Sequence, residues 1–307
     1  MTRHFLTVDD LDASELLALL DHADALKAER AQGGRQRDDL AGRTVGLLFE
    51  KPSTRTRVSF EVAVAELGGH PLVLSSAELQ LGRGETVGDT ARVLSRYLDA
   101  LAVRTFAQSR LETLADEGTI PIVNMLSDLA HPCQALADLQ TIREATGGLA
   151  GRRLTYLGDG NNVAHSLLVA GALVGLDVTV AHPEGYGPDR EVLARARAHA
   201  EASGAEVTAT TDHLGAVAGS DVLYTDVWAS MGQEAEADAR AAAFGRYRLD
   251  ADALAAASAE AIVLHCLPAH RGEEISAAAI DGPQSRVWDQ AENRLHAQKA
   301  LLLALLG

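Results

Sequence analysis

Along the chain, apolar positions alternate between short continuous runs and helix-like spacing. Leu16, Leu20, Ala23 and Leu26 recur every three or four residues before Gly33-Gly34, which predicts a helix that stops there. Residues 44–49 follow as a compact apolar run, the pattern of a buried strand. The same succession predicts a helix over 54–67, a strand over 71–74, and a helix with Val87, Ala91, Leu94 and Leu98 on one face. Strands over 100–104 and 120–123 and a helix over 131–145 complete the first half. After the Gly-rich stretch 146–151 the alternation resumes, with strands over 153–158, 177–181, 206–209, 221–225 and 261–265. A last apolar helix is expected over about 290–306. Strands alternating with helices imply an α/β fold with parallel sheets flanked by helices. The expected organisation is two doubly wound domains, 1–147 and 148–289, joined at the Gly-rich stretch.

Composition changes this picture little, and charge narrows it. With 47% apolar and 23% charged residues, the 307-residue chain has an ordinary globular composition. A formal net charge of −16 offers no basic stripe for a nucleic acid and no electrostatic anchor for an anionic membrane. The longest apolar stretch, around residues 167–176, is interrupted by Gly171 and Gly175 and is too short to span a bilayer. No secretory-signal pattern is visible at the start, and two cysteines, Cys133 and Cys266, make no disulfide framework. A cytoplasmic protein is expected.

In open parallel sheets, ligands bind beyond the carboxyl ends of strands, so the residues after each strand carry the candidate chemistry. Lys51-Pro52-Ser53-Thr54-Arg55-Thr56-Arg57 follows the first strand. Free N–H groups at a helix start, with hydroxyls and guanidinium forks beside them, suit a phosphate; the plainer alternative is a Ser-capped helix with solvated arginines. Arg104 closes another strand and can face the same ligand. His131-Pro132-Cys133-Gln134 opens a helix, where His131 could donate to a carbonyl oxygen and Gln134 accept from an amide, unless His131 is a packed histidine.

In the second half, Gly158-Asp159-Gly160-Asn161-Asn162-Val163 occupies a strand-to-helix turn. It has two glycines of a dinucleotide fingerprint but Val163 in place of the third, which makes a nicotinamide site a weak reading. Asn162 could meet a zwitterionic ligand or cap the helix. The stretch Asp226-Val227-Trp228-Ala229-Ser230-Met231-Gly232 and the stretch His265-Cys266-Leu267-Pro268 each follow or end a strand. An aspartate there can take an ammonium, and hydroxyls and turn N–H groups can hold a carboxylate, which together describe an amino-acid site. Cys266 could hold an amine, act as a nucleophile or simply fill space. His131, Cys133, His265 and Cys266 lack metal-ligand spacing, so no metal is expected.

Taken together and in this order, Ser53-Thr54-Arg55-Thr56-Arg57, Arg104, His131-Pro132-Cys133-Gln134, the stretch from Asp226 to Gly232 and His265-Cys266-Leu267-Pro268 resemble the ornithine carbamoyltransferase family. The likeness extends over nearly the whole chain. It implies attack of the δ-amine of L-ornithine on carbamoyl phosphate, giving L-citrulline and phosphate in arginine metabolism, without a cofactor. Position by position, it implies that Ser53, Thr54, Arg55, Thr56 and Arg104 bind the phosphate, while His131 and Gln134 hold the carbamoyl group. Arg55 and His131 would stabilise the tetrahedral oxyanion. Cys266 and the Leu267 backbone would lie beside the reacting amine, making Arg55, His131 and Cys266 the catalytic group, and Arg294 would complete the carbamoyl phosphate site. Asn162, Asp226, Ser230 and Met231 would bind the amino-acid end of ornithine. Gln80 matches a position that reaches a neighbouring subunit's site, and the resemblance further implies a homotrimer or an assembly of trimers, with the last helix, about 290–307, returning to the first domain. Both substrates carry anionic groups, so Arg55, Arg57, Arg104 and Arg294 are expected to concentrate positive potential locally within an acidic protein.

Overall fold

The computed structural model of the chain describes residues 2–75, 84–229 and 234–307. Its elements, in order, are α1 (Ala13–Ala31), β1 (Thr44–Phe49), α2 (Thr54–Glu66), β2 (His70–Ser75), α3 (Val87–Leu94), β3 (Ala100–Arg104), α4 (Gln108–Glu117), β4 (Ile122–Leu126) and α5 (Pro132–Thr146). There follow β5 (Arg153–Leu157), α6 (Asn162–Val174), β6 (Asp177–Ala181), α7 (Arg190–Ser203), β7 (Val207–Thr210), α8 (His213–Val217) and β8 (Val222–Thr225). The last are α9 (Ala237–Phe244), α10 (Ala251–Ala256), β9 (Ile262–His265), α11 (Ala277–Ile280) and α12 (Val287–Leu306). The backbone forms two compact units, Met1–Ala137 with Glu292–Gly307, and Asp138–Ala291.

In the first unit the sheet order is β2-β1-β3-β4, with every pairing parallel. The chain moves outward from β1 to β2 and then crosses to β3 on the other side. Ligands bind beyond the carboxyl ends of the strands at such a reversal, here β1 and β3. Leu48, Leu101, Val103, Leu111, Leu114 and Ile122 form a buried cluster that ties β1, β3 and β4 to α4. Helix α12 brings the end of the chain back to this unit: Lys299 Nζ lies 3.1 Å from a Glu66 carboxylate oxygen, and Arg30 Nε donates to the same carboxylate at 3.0 Å. Lys299 is buried, and an unpaired charge there would be costly, so this carboxylate fixes how α12 lies on α1 and α2.

In the second unit the order is β7-β6-β5-β8-β9, again parallel throughout, and the reversal falls between β5 and β8. Leu157, Leu223, Val263, Ile275, Ile280 and Val287 make its core, and α6 is buried from Val163 to Val174. A helix apolar on all sides is stable only where its whole circumference is covered.

One strand differs by more than one residue from the pattern-based expectation. The run 120–123 is observed as Ile122–Leu126, shifted toward the C-terminus. Pro121 has no N–H to give a ladder, and the polar Asn124 masks the strand's continuation in the sequence. Asn124 is nevertheless fully buried, and its side-chain amide donates to the Leu6 carbonyl at 2.9 Å.

Candidate active site

The loop after β1 leads straight into α2. Ser53 is the N-cap, its hydroxyl accepting from the Thr56 N–H at 3.4 Å. Lys51, the first residue of the stretch from Lys51 to Arg57, is buried; its ammonium lies 2.6 Å from Asp128 Oδ1 and 4.1 Å from the centre of the Phe106 ring. It pins the loop that delivers Ser53 and Thr54 to the helix start. Arg55 is half-buried and makes no ion pair among the described residues. Arg57 departs from the expectation: it is exposed and bonded to Glu61 at 3.1 Å, one turn along the same helix, so its charge is spent at the surface.

Arg104 is the last residue of β3 and is nearly buried; opposite it in the parallel register stands Phe49, at the end of β1. His131 directly precedes α5, and Gln134 lies in its first turn, both buried. Arg294 joins these pieces. Its Nη1 donates to Gln134 Oε1 at 2.9 Å and its Nη2 to the Thr56 hydroxyl at 3.0 Å. One guanidinium thereby fixes the starts of α2 and α5 relative to each other.

Burial holds the His131 imidazole well below the ordinary histidine range, and the Arg294 and Arg104 charges push in the same direction. The ring is therefore neutral at physiological pH, able to donate one N–H to a polarised oxygen. Cys133 is also fully buried; burial pushes its thiol up to about 12, and its Sγ donates to the Asn124 carbonyl at 3.3 Å. Such a thiol packs and does not react. Iodoacetamide applied to the folded protein is expected to label Cys266, which is part-exposed, and to spare Cys133. Peptide mapping reads the result, and rapid labelling of Cys133 would contradict its burial.

In the second unit, Asn161 and not Asn162 is the cap of α6. Its Oδ1 accepts from the N–H groups of Val163 at 2.9 Å and Ala164 at 3.2 Å, while its Nδ2 donates to Asp226 Oδ2 at 3.1 Å. Asn162, the first helical residue, is relieved of the capping role that was its alternative reading. Asp226 follows β8 and is buried; its second oxygen accepts from the Cys266 thiol at 2.9 Å. The ends of β5, β8 and β9 thus meet in the chain Asn161, Asp226, Cys266. Ser230, Met231 and Gln80 lie outside the described residues.

Gly160 explains the turn after β5. A Cβ there would overlap Gly187 and the Pro188 nitrogen, and its own N–H donates to the Tyr186 carbonyl at 2.8 Å. In a dinucleotide fingerprint the second glycine admits a pyrophosphate; here it admits the chain's own backbone.

The turn after β9 is held from below. His265 Nδ1 accepts from the Leu267 N–H at 2.8 Å, which leaves the ring proton on Nε2 to face Glu274 Oε1 at 3.2 Å. Leu267 sits at φ 59°, a left-handed conformation that a leucine adopts only when its surroundings impose it. Burial would raise the Glu274 carboxyl, but hydrogen bonds from His265 and the His270 N–H outweigh it and keep the group below its ordinary value. Among the described residues, Asp226 with His265 and Cys266, and His270 with Glu273 and Glu274, each bring potential metal-ligand atoms within 4.8 Å of one another. Hydrogen bonds from Cys266 to Asp226 and from the His270 N–H to Glu274 already engage atoms in both groups. Neither contains His131 or Cys133.

Comparison with known proteins gives a consistent set of relatives. The family model for the aspartate/ornithine carbamoyltransferase carbamoyl-P binding domain matches residues 3–144, and that for the Asp/Orn binding domain matches residues 150–305. The chain is 64% identical to an ornithine carbamoyltransferase of a Parafrankia species over 99% of its own length and 96% of the relative's. It is 60% identical to the ornithine carbamoyltransferase of Acidothermus cellulolyticus, over 100% and 97% of the two lengths. Its backbone matches the solved ornithine carbamoyltransferase from Pyrococcus furiosus with a TM-score of 0.95 at 52% identity, covering 98% of this chain and 96% of that one.

Proposed function

The chain belongs to the aspartate/ornithine carbamoyltransferase family, and we propose how its residues carry out the reaction of the ornithine branch. The reaction is transfer of the carbamoyl group from carbamoyl phosphate to the δ-amine of L-ornithine, giving L-citrulline and phosphate, a step of arginine biosynthesis. Carbamoyl phosphate binds to residues 1–147 with about 290–307, and ornithine to residues 148–289. The observation that carries this reading is the convergence of Ser53, Thr56, Arg104, His131 and Gln134 at strand and helix ends of one unit, with Arg294 bonded to two of them.

The phosphate lies at the start of α2, met by Ser53, Thr54, Arg55, Thr56 and Arg104. His131 and Gln134 hold the carbamoyl group, and Arg294 fixes the pieces around it. Asn162, Asp226, Ser230 and Met231 take the amino-acid end of ornithine. The δ-amine attacks as the free base, since an alkylammonium with a reference pKa near about 10.4 has no lone pair to give. Addition to the carbamoyl carbon produces a tetrahedral oxyanion, which Arg55 and the neutral His131 meet with hydrogen bonds. Collapse expels phosphate and the nitrogen loses its proton, so no covalent enzyme intermediate is needed. Asp226 orients the substrate, while Cys266, with its thiol hydrogen on Asp226, and the Leu267 backbone lie beside the reacting amine. Gln80 acts across a subunit boundary of a homotrimer, alone or in a larger assembly of trimers, in the cytoplasm. Among the described residues no helix is long and apolar enough to cross a membrane.

Offering ornithine, aspartate, putrescine and N-acetylornithine in parallel with carbamoyl phosphate tests the assignment. Ornithine is expected to support phosphate release and citrulline formation, with each of the others at least about a hundredfold weaker, because a site that pairs buried polar groups with a ligand rejects analogues that leave them unpaired. Turnover confined to another acceptor would refute the ornithine assignment and leave the carbamoyl phosphate site standing.

A further inference from the structure

Arg240 carries a buried charge that the reaction above does not use. It lies on α9 with only 6% of its surface exposed, and nothing in its Ala-rich sequence context distinguishes it from a solvated helix arginine. Its Nη1 donates to Asp159 Oδ2 at 2.7 Å and to the Trp228 carbonyl at 2.9 Å, and its Nε donates to Glu236 at 3.0 Å. The guanidinium also stands 5.2 Å from the centre of the Tyr186 ring. Four residues on, Phe244 shares this helix face, meeting Tyr186 edge-on at 4.8 Å and stacking on Trp228 at 6.2 Å.

These contacts fall on two turns that matter for ornithine. Asp159 belongs to the turn after β5, two residues ahead of Asn161, which bonds Asp226, and three ahead of Asn162. Trp228 lies two residues beyond Asp226 in the turn after β8. Arg240 therefore ties together the two strand ends at the sheet's reversal point. Resting on the ornithine reading given above, we propose that Arg240 is a positioning residue for ornithine, setting the turns that carry Asn162 and Asp226 while touching no substrate itself.

The geometry implies a specific kinetic signature. Loss of the fork frees both turns to shift, and a displacement of about 1 Å at a binding group can cost up to about a hundredfold. Burial raises the Asp159 carboxyl even with Arg240 bonded to it, so a chain lacking Arg240 would hold that group protonated or poorly placed. Lysine can supply charge at one point but not the planar fork that holds Glu236 through Nε while Nη1 holds Asp159 and Trp228.

The test is steady-state kinetics of Arg240→Met, Arg240→Lys and Asp159→Asn, with each substrate varied separately. A parallel titration with ornithine, read by Trp228 fluorescence in a Trp288→Phe background, reports binding directly; Trp288 is exposed and outside the proposed site. The expected result is a KM for ornithine raised about tenfold or more in Arg240→Met, and by less in Arg240→Lys and Asp159→Asn. The KM for carbamoyl phosphate should stay within about twofold and kcat at saturating ornithine within about threefold, with the fluorescence midpoint moving as KM does. If Arg240→Met does not fold, the two milder variants carry the same comparison. A lowered melting temperature with both KM values unchanged, or equal weakening of both substrates, would overturn the proposal. Failure of the unmodified protein to use ornithine would instead remove the reading beneath it.

Discussion

Arg55→Ala is expected to lower kcat by about a hundredfold or more while leaving the fold intact. Removing a charged donor aimed at a developing oxyanion commonly costs that much. The structure makes this substitution unusually clean. Arg55 makes no ion pair among the described residues, so alanine deletes no ion pair of the described fold, and the melting temperature should fall by no more than about 2 °C. Arg294→Ala would be harder to interpret, because its guanidinium also bonds Gln134 and Thr56. Arg57 supplies the control: bonded to Glu61 at the surface, it can become alanine with less than about a twofold change in kcat. Stopped-assay kinetics with circular-dichroism melting of all three proteins reads both effects. An Arg55→Ala enzyme with near-normal kcat would refute the transition-state role.

His131→Gln is expected to lose roughly a hundred- to a thousandfold in kcat and, separately, to change how stability depends on pH. Burial, followed by the Arg294 and Arg104 charges, depresses the folded-state pKa of His131. The unfolded chain takes up a proton there as pH falls through about 6.5, whereas the folded chain does not. The unfolded state therefore binds more protons below that pH, and stability attributable to His131 is present above it and declines as the solution is acidified. The slope reaches about 1.4 kcal/mol per pH unit until the folded ring also titrates. Urea denaturation of both proteins at pH 7.5 and 5.5 measures the difference, in which contributions from other groups cancel. His131→Gln should show the shallower decline. Parallel declines would mean that the folded protein protonates His131 readily, and a neutral donor would then be the wrong description of its part in the reaction.

The elements of the fold were legible because its strands are short apolar runs and its helices keep their spacing. The candidate site was legible for a related reason: in open parallel sheets ligands bind where strands end, and Arg104, Asp226 and Cys266 each stand at or beside such an end, with His131 at the start of α5. What the pattern could not supply was the identity of partners brought together from distant parts of the chain. Arg57 and Arg55 are two residues apart in one motif, yet Glu61 captures the first, and only the helix geometry separates them. Asn161 and Asn162 are chemically identical neighbours, distinguished by which amide oxygen accepts from the first N–H groups of α6. Arg240 meets Asp159 across 81 residues of sequence, and Glu274 supports His265 beneath a leucine in a left-handed turn. Periodicity records which face of an element is buried but not what it is buried against. Asn124 shows the converse, a strand residue whose polarity hid it because its compensating carbonyl comes from Leu6.

The hydrogen bond from Arg294 to Thr56 spans 238 residues, and the one to Gln134 spans 160. On the ribosome, the sheet that bears the start of α2 and the start of α5 is made well before the guanidinium that joins them. Until α12 emerges and docks, a nascent chain has the strands of its first unit but not the clasp between these two helix starts. In a chain grown from its N-terminus, the clasp therefore closes only after both helix starts have been made.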